Sequence, residues 1–117
     1  GDFNLKRWDI TYKALTGKDN CAINLPESNT YEISYRCNVK QILKTAYRQR
    51  NESEPAYTNF VDTDLSLRFC DTLDYIFFYG DPTVEDVLEL PDKSSNESYP
   101  NQINPSYHLM IAATFRL

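Results

Sequence analysis

The run DTLDYIFFYG, from Asp71 to Gly80, constrains the fold of this chain more than any other stretch. Aromatic and β-branched residues fill it and a glycine ends it, a composition that predicts a β-strand. One carboxylate, Asp74, stands among its apolar residues. Burying a carboxylate is costly unless the group is paired or lies at the rim of a sheet, so Asp74 needs a partner.

Other segments are shorter and mix both types of secondary structure. AYTNFV (56–61) and HLMIAATFRL (108–117) predict strands, and PTVEDVLELP (82–91) fits a strand or a short helix, its prolines favouring the strand. Helices are predicted from Asp9, a suitable N-cap, to the stop signal Gly17, and from Val39 to Arg50. Residues 18–38 and 91–105 are polar and rich in turn residues, which predicts loops. The pattern predicts one α/β domain of the mixed α+β type.

The bulk properties exclude several classes of protein. The 117 residues suffice for one small domain, and 41% hydrophobic content predicts a packed core. No stretch reaches the ~18 apolar residues that span a bilayer, so we expect no membrane partner. We also expect an intracellular protein, cytoplasmic or nuclear. Cys21, Cys37 and Cys70 lack the spacing of metal ligands and predict buried thiols in a reducing compartment.

Charge is unevenly distributed along the chain, whose net charge is −5. Residues 1–50 contain nine Lys/Arg and five Asp/Glu, whereas residues 51–117 contain three and twelve. A polyanion would therefore not be drawn to the chain as a whole. The acidic half is either a solvated surface or the surroundings of a bound metal. The basic residues from Lys40 to Arg50 either face solvent or contact a nucleic-acid backbone.

Asp2, Asn4 and His108, the only histidine of the chain, join Asp74 as polar residues at predicted strand positions. At an extended strand end, Asp2 and Asn4 would point to the same side, where a carboxylate suits Mg²⁺ and an amide suits a phosphate oxygen. The alternative for this pair is an ordinary Asx turn. An aspartate such as Asp74 would fix the tautomer of His108 and support a positive charge on its ring near a phosphate.

The stretches GDFN, AYTNF, DTLDYIFF, VLELP and PSYHLMIAATFRL, in this order and spacing, resemble the second half of the endonuclease/exonuclease/phosphatase superfamily. The resemblance runs from residue 1 to residue 117, is least clear at 18–38, and is closest to the carbon-catabolite-repressor deadenylases, nocturnin and the Angel proteins. It implies half of a DNase I-like four-layered sandwich, with a mixed β-sheet and outer helices. It also implies that the first half of the domain, which supplies a metal-holding glutamate, an asparagine and one sheet, is missing from this chain.

The resemblance further implies a magnesium-dependent phosphodiesterase, in particular a deadenylase-like 3′-5′ exoribonuclease acting on RNA. Mn²⁺ would be able to replace Mg²⁺, and no haem or nucleotide cofactor would be required. Asp2 would hold the metal and orient the attacking water, and Asn4 would bind the scissile phosphate. Asp74 would pair with His108, which would bind the phosphate and stabilise its developing charge. Thr58 and Asn59 would lie near the nucleotide-binding face.

One residue departs from the pattern of the family. The last motif of the family is Ser-Asp-His, and here it reads Ser106-Tyr107-His108. A tyrosine has no carboxylate and is larger than aspartate, so it cannot replace a metal ligand or a base at neutral pH. Tyr107 therefore predicts a damaged site. The alternative function is that of a catalytically inactive family member that, if it acts at all, binds nucleic acid or a protein.

Overall fold

Short helices and strands alternate along the chain in the computed structural model, which describes residues 1–17, 42–63, 66–93 and 99–117. Within these residues the order is α1 (Ile10–Leu15), β1 (Lys44–Thr45), α2 (Ala46–Asn51), β2 (Asn59–Thr63), β3 (Ser66–Asp71), β4 (Phe77–Phe78), β5 (Thr83–Val87) and β6 (Ala113–Arg116). The described strands pair antiparallel as β1–β4, β2–β3 and β5–β6. The α+β class is thus confirmed, but small antiparallel sheets stand in the described residues where one mixed sheet was expected.

Helix α1 confirms the predicted helix and its stop signal. Asp9 occupies the N-cap position with an extended backbone, but its Oδ2 accepts a hydrogen bond from the Lys6 amide at 2.8 Å and does not cap the helix. Gly17 adopts φ +64°, a conformation that favours glycine. A Cβ at this position would also lie 2.9 Å from the Ile42 side chain, so two separate constraints favour glycine here.

Helix α2 begins later than predicted, at Ala46 and not at Val39, and residues 39–41 lie outside the described part of the chain. Thr45 belongs to β1 and pairs with Phe77 of β4. A β-branched residue suits this buried strand position better than it suits a helix. Tertiary pairing with an aromatic strand therefore outweighs the helical periodicity of the sequence.

The β2–β3 hairpin contains one predicted strand and one that was missed. β2 confirms the strand expected at 56–61, with its first residue at Asn59, whereas β3 was not predicted. The two strands pair Asn59 with Asp71 and Phe60 with Cys70. Phe60 also meets Tyr57 and Tyr99 edge-on, with ring centroids 6.3 and 5.3 Å away, in a small aromatic core.

The run from Asp71 to Gly80, which is described throughout, is not one continuous strand, and this corrects the strongest prediction from the sequence. Its ladder pairing is limited to Asp71, at the end of β3, and to the two residues of β4, while Asp74 forms an isolated bridge with Asp2. The rings of Tyr75 and Phe77 pack as a cluster against Phe3 at the start of the chain. Tyr75 stacks on Phe77 with ring centroids 5.2 Å apart, so aromatic content here serves packing more than strand pairing.

Backbone hydrogen bonds fix the start of the chain against this run. The Phe3 amide donates to the Leu73 carbonyl and the Tyr75 amide donates to the Gly1 carbonyl, each at 3.0 Å. The Tyr75 hydroxyl donates to the Leu5 carbonyl at 2.9 Å. Asp2 is thereby held directly opposite Asp74.

The β5–β6 pair confirms the strand interpretation of residues 82–91 and shortens the last strand to Ala113–Arg116. Val84 and Val87 point inward from β5 and pack with Ala46 and Tyr47 of α2. The Tyr47 hydroxyl donates to the Leu88 carbonyl at 2.8 Å, which gives this buried polar group a partner. This core therefore joins α2 to β5 and β6.

Three remaining expectations concern loops, cysteines and membranes. The described parts of the predicted loop at 91–105 contain no helix or strand. The predicted loop at 18–38 lies wholly outside the described residues. Cys70 is exposed, so the expected burial is wrong for this thiol, while Cys21 and Cys37 lie outside the described residues. None of the described helices is both long enough and apolar enough to cross a bilayer.

Candidate active site

The start of β2 lies between two other segments and aligns them. The Thr58 amide donates to the Asp71 carbonyl at 3.0 Å, and the Thr58 carbonyl accepts from the Leu109 amide at 2.7 Å. Asn59 forms an isolated antiparallel bridge with His108. The segment that ends β3 and the segment that contains His108 are thus held on opposite sides of one backbone stretch.

Asp74 and His108 form a direct pair across this arrangement. The His108 Nδ1 lies 2.8 Å from the Asp74 Oδ2, and the Asp74 side chain is 10% exposed whereas that of His108 is 35% exposed. The partner that the sequence required for a carboxylate in an apolar run is therefore the histidine. A buried carboxylate behind an accessible imidazole orients the ring and stabilises a positive charge on it.

Asn59 contacts the other ring nitrogen of His108. Its Nδ2 lies 2.9 Å from the Nε2 of His108. An amide NH₂ group only donates, so Nε2 accepts in this arrangement and Nδ1 carries the hydrogen that faces Asp74. Both ring nitrogens therefore have partners, and the ring has a defined tautomer.

Thr58 supports the pair from behind. It is fully buried, and its hydroxyl donates to the Asp74 Oδ2 at 2.8 Å. The Thr58 Oγ1 in turn accepts hydrogen bonds from the amides of Leu73 and Asp74, each at 3.0 Å. In this structure Thr58 positions the carboxylate and has no surface to offer a nucleotide.

Asp2 lies on the exposed side of the imidazole. Its Oδ2 is 3.9 Å from the His108 Nε2, and its side chain is 49% exposed. Its Oδ1 accepts a hydrogen bond from the Asn4 amide at 2.8 Å, which makes the Asx turn that was the alternative for this pair. Asn4 has φ +51°, so the backbone is not extended there, and the expectation of two side chains on one side of a strand end is wrong.

The structure brings together four of the sequence-predicted site residues by side-chain contact: Thr58, Asn59, Asp74 and His108. Asp2 adds a carboxylate close to His108. The Asn4 side chain, among the described residues, forms no hydrogen bond with Asp74 or His108, and it is exposed beside Asp2. The group reaches the surface through Asp2 and the partly exposed ring of His108.

Tyr107 precedes His108 and projects outward. It is 40% exposed, and its carbonyl accepts a hydrogen bond from the Phe60 amide at 2.9 Å. The backbone of this residue is thus part of the pairing that fixes His108, while its side chain is accessible. The Ser106 Oγ accepts from the His108 amide at 3.0 Å and closes a short turn before the histidine.

One buried carboxylate, Glu54, was missed because its surroundings, NESEP, look like a simple chain break. It is 9% exposed and accepts a hydrogen bond from the Tyr12 hydroxyl at 2.7 Å and another from the Thr45 hydroxyl. Burial, and then the neighbouring Glu54, raise the pKa of Tyr12 to about 12. The one signal in the sequence for this role was the position of the glutamate between the end of a predicted helix and a proline. Glu54 joins α1 to β1 and α2.

No group of three or more His, Cys, Asp and Glu side chains with the arrangement of a metal site exists among the described residues. Asp2 fits as one carboxylate ligand of Mg²⁺, because one of its oxygens faces the histidine and the side chain is half exposed. Asp74 fits poorly, since its Oδ2 already meets Thr58 and His108. Of these residues only Asp2 thus has a carboxylate suited to Mg²⁺, and the group is not a complete metal site.

The chain matches no protein-family model, no curated protein sequence and no solved structure.

Proposed function

We propose that this chain forms the histidine-bearing half of a magnesium-dependent phosphodiesterase with a DNase I-like fold, of the endonuclease/exonuclease/phosphatase type. The observation that carries the proposal is the Asp74–His108 pair, with the Nε2 of His108 held 3.9 Å from the exposed carboxylate of Asp2. The buried aspartate, the imidazole and the exposed carboxylate follow one another in space. They provide a general acid–base group and a metal ligand side by side.

In this proposal His108 binds the phosphate. Protonated at Nε2, the ring donates a hydrogen bond to a phosphate oxygen and stabilises negative charge that develops there. Asp74 keeps the hydrogen on Nδ1 and compensates the positive charge of the ring. Asn59, which occupies Nε2 in this structure, turns its amide oxygen toward the protonated ring or yields its place to the phosphate.

Asp2 orients the attacking water and supplies one ligand to the metal. Mg²⁺, or Mn²⁺ in its place, neutralises charge on the phosphate when it is bound. The remaining ligands would come from the first half of the domain, which by the resemblance carries a metal-holding glutamate. Asn4, which is exposed next to Asp2, donates in this proposal to a phosphate oxygen once substrate is bound.

The substrate class of the proposal is RNA, cleaved from its 3′ end by an intracellular enzyme. This assignment rests on the resemblance to the deadenylase branch. No haem or nucleotide cofactor is needed for the steps that these side chains perform.

A second candidate function is favoured by Tyr107. Its side chain is accessible and has no carboxylate, at the position where the family that this chain resembles has an aspartate. A chain with this substitution would still bind a phosphate ester at His108 without cleaving it. In that case it acts as a nucleic-acid or protein-binding module.

The single histidine allows a direct test of phosphate binding on the chain itself. The imidazole NMR resonances of His108 are followed during addition of adenosine 5′-monophosphate, with and without Mg²⁺. The proposal predicts that they shift on adding the nucleotide and that Mg²⁺ strengthens the effect. Asp2→Asn should abolish the magnesium dependence, while Asp81→Asn, which removes an exposed carboxylate elsewhere, should not. Resonances that do not move under either condition would contradict the phosphodiesterase and also the nucleic-acid-binding function of this site.

A further inference from the structure

A cleft, which we call the Trp8 cleft, lies against α1 and α2. Its volume is about 480 Å³, within the range of roughly 300–1,000 Å³ typical of ligand sites. The residues that matter for its chemistry are Arg7, Trp8, Tyr12, Lys13, Arg48 and Glu54. The Tyr12 ring lies 5.2 Å from the ring of Tyr75, so packed aromatic rings form the inner wall behind the cleft.

Trp8 is the only tryptophan of the chain, and it is 53% exposed. Two cations flank its ring, the Lys6 ammonium at 5.7 Å and the Arg7 guanidinium at 5.8 Å from the centroid. A large apolar ring left in water has no folding advantage in that position. An exposed indole beside cations is the combination that stacks a nucleic-acid base while the cations meet its phosphates.

Basic residues come to the cleft from both helices. Lys13 lies in the last turn of α1 and Arg48 in the last turn of α2, and Arg7 is exposed before α1. The carboxylates that also line the cleft are Glu52 and Glu54. Glu54 is buried and is engaged from within by the Tyr12 and Thr45 hydroxyls, so its charge is directed away from a ligand. Arg7, Lys13 and Arg48 then face the single exposed carboxylate of Glu52, so the accessible charge of the cleft is positive in a chain whose net charge is −5.

We propose that the Trp8 cleft binds single-stranded nucleic acid, with one base stacked on Trp8 and phosphates met by Arg7 and Lys13. A single strand can offer a free base face to the indole, whereas the bases of a duplex are stacked on each other. An acidic peptide would meet the cations but leave the ring without a partner. This inference deepens the proposed function, because it gives an RNA substrate a second contact beside the phosphate site at His108.

The binding is measured without any hydrolysis. A fluorescein-labelled oligo(A) RNA of about ten nucleotides is titrated with the full chain in the absence of divalent metal, and its anisotropy is followed. Trp8 fluorescence is recorded with unlabelled RNA in a parallel titration. We expect saturable binding, quenching of the tryptophan emission, and weaker binding to the matching RNA duplex.

Variants separate stacking from charge. Trp8→Ala should weaken binding about tenfold or more, and Trp8→Phe, which keeps a stacking ring, should restore most of it. Arg7→Gln and Lys13→Gln should each lower the slope of log affinity against log salt by about 0.7, the contribution of one phosphate contact on a single strand. Arg116→Gln removes an exposed cation from β6 and should leave both affinity and slope unchanged.

The outcomes distinguish this inference from the proposed function. Unchanged affinity in Trp8→Ala, or equal affinity for single strand and duplex, would overturn the Trp8 cleft as a single-strand site even if His108 binds phosphate. Binding that is lost in Trp8→Ala but retained in His108→Ala would support the cleft by itself. Absence of any binding by the full chain would overturn the inference.

Discussion

The hydroxyl of Thr58 makes a sharp prediction about what holds the candidate active site together. In Thr58→Val the side chain keeps its shape but loses the oxygen that accepts from the amides of Leu73 and Asp74 and donates to the Asp74 carboxylate. Thr58 is fully buried, so water has no easy access to the two amides. A buried N–H left without a partner costs about 1–3 kcal/mol. Two neighbouring groups are not strictly additive, and we expect Thr58→Val to lower the free energy of unfolding by about 2–4 kcal/mol.

Thr58→Ser is the matched control. It keeps the hydroxyl and loses one buried methyl group, which costs about 1 kcal/mol. Urea unfolding followed by circular dichroism measures both variants, and a loss of about 2 kcal/mol moves the midpoint by roughly 1–2 M. In the same samples, the imidazole resonances of His108 should change in Thr58→Val and stay near the wild-type position in Thr58→Ser. If valine is no more destabilising than serine, the hydroxyl does not organise this region and the reasoning fails.

Four further predictions follow from the side-chain contacts. Asp74→Asn should lower phosphodiesterase activity of the assembled domain about 10- to 100-fold, because the amide no longer holds His108 in one tautomer, and unchanged activity would separate Asp74 from catalysis. Tyr107→Asp should raise that activity, and no gain would mean that Tyr107 is not what limits the site. Because the Tyr107 side chain is 40% exposed, the urea midpoint of this variant should change little. Glu54→Ala should lower stability by about 2–4 kcal/mol in urea unfolding, because two buried hydroxyls lose their acceptor, whereas the exposed control Glu89→Ala should stay within about 0.5 kcal/mol. The free energy of unfolding should fall as the pH rises from 10 to 12, because burial and Glu54 raise the pKa of Tyr12 from 10.0 to about 12 in the folded state. Between these two pH values the unfolded state loses the Tyr12 proton first, which favours unfolding. Tyr12→Phe should make the fall smaller, and an unchanged pH profile would contradict this prediction.

The contact between Asp74 and His108 was predicted better than the strands around it. His108 and Asp74 stood out because a lone histidine and a carboxylate in an apolar run each need a physical reason to be there. Their pairing follows from the two backbone bridges at Asp2 and Asn59, which join segments far apart in the chain. Local patterns contain no information on such long-range pairing. For this reason the run from Asp71 to Gly80 was predicted as one continuous strand, although only Asp71 and the two residues of β4 pair as strands.

Two other misses have local causes. The helix predicted from Val39 begins at Ala46, because Thr45 takes part in a strand pair that only the folded chain reveals. Glu54 was passed over since its role depends on hydroxyls from α1 and β1. In contrast, α1 with its stop at Gly17 was predictable, because a helix that ends in a positive φ favours glycine at that one position. Features set by one segment were read from the sequence, and features set by contacts between segments were not.

The most direct test of the central claim is hydrolysis of a 3′-labelled oligo(A) RNA in the presence of Mg²⁺. The chain is assayed together with the first half of a DNase I-like family member, as wild type, Tyr107→Asp, and each of these with His108→Ala. We expect cleavage by the wild type or by Tyr107→Asp, and we expect His108→Ala to abolish it in either background. Cleavage that survives His108→Ala, or no cleavage even with Tyr107→Asp, would contradict the assignment of His108 and its neighbours to a phosphodiesterase site.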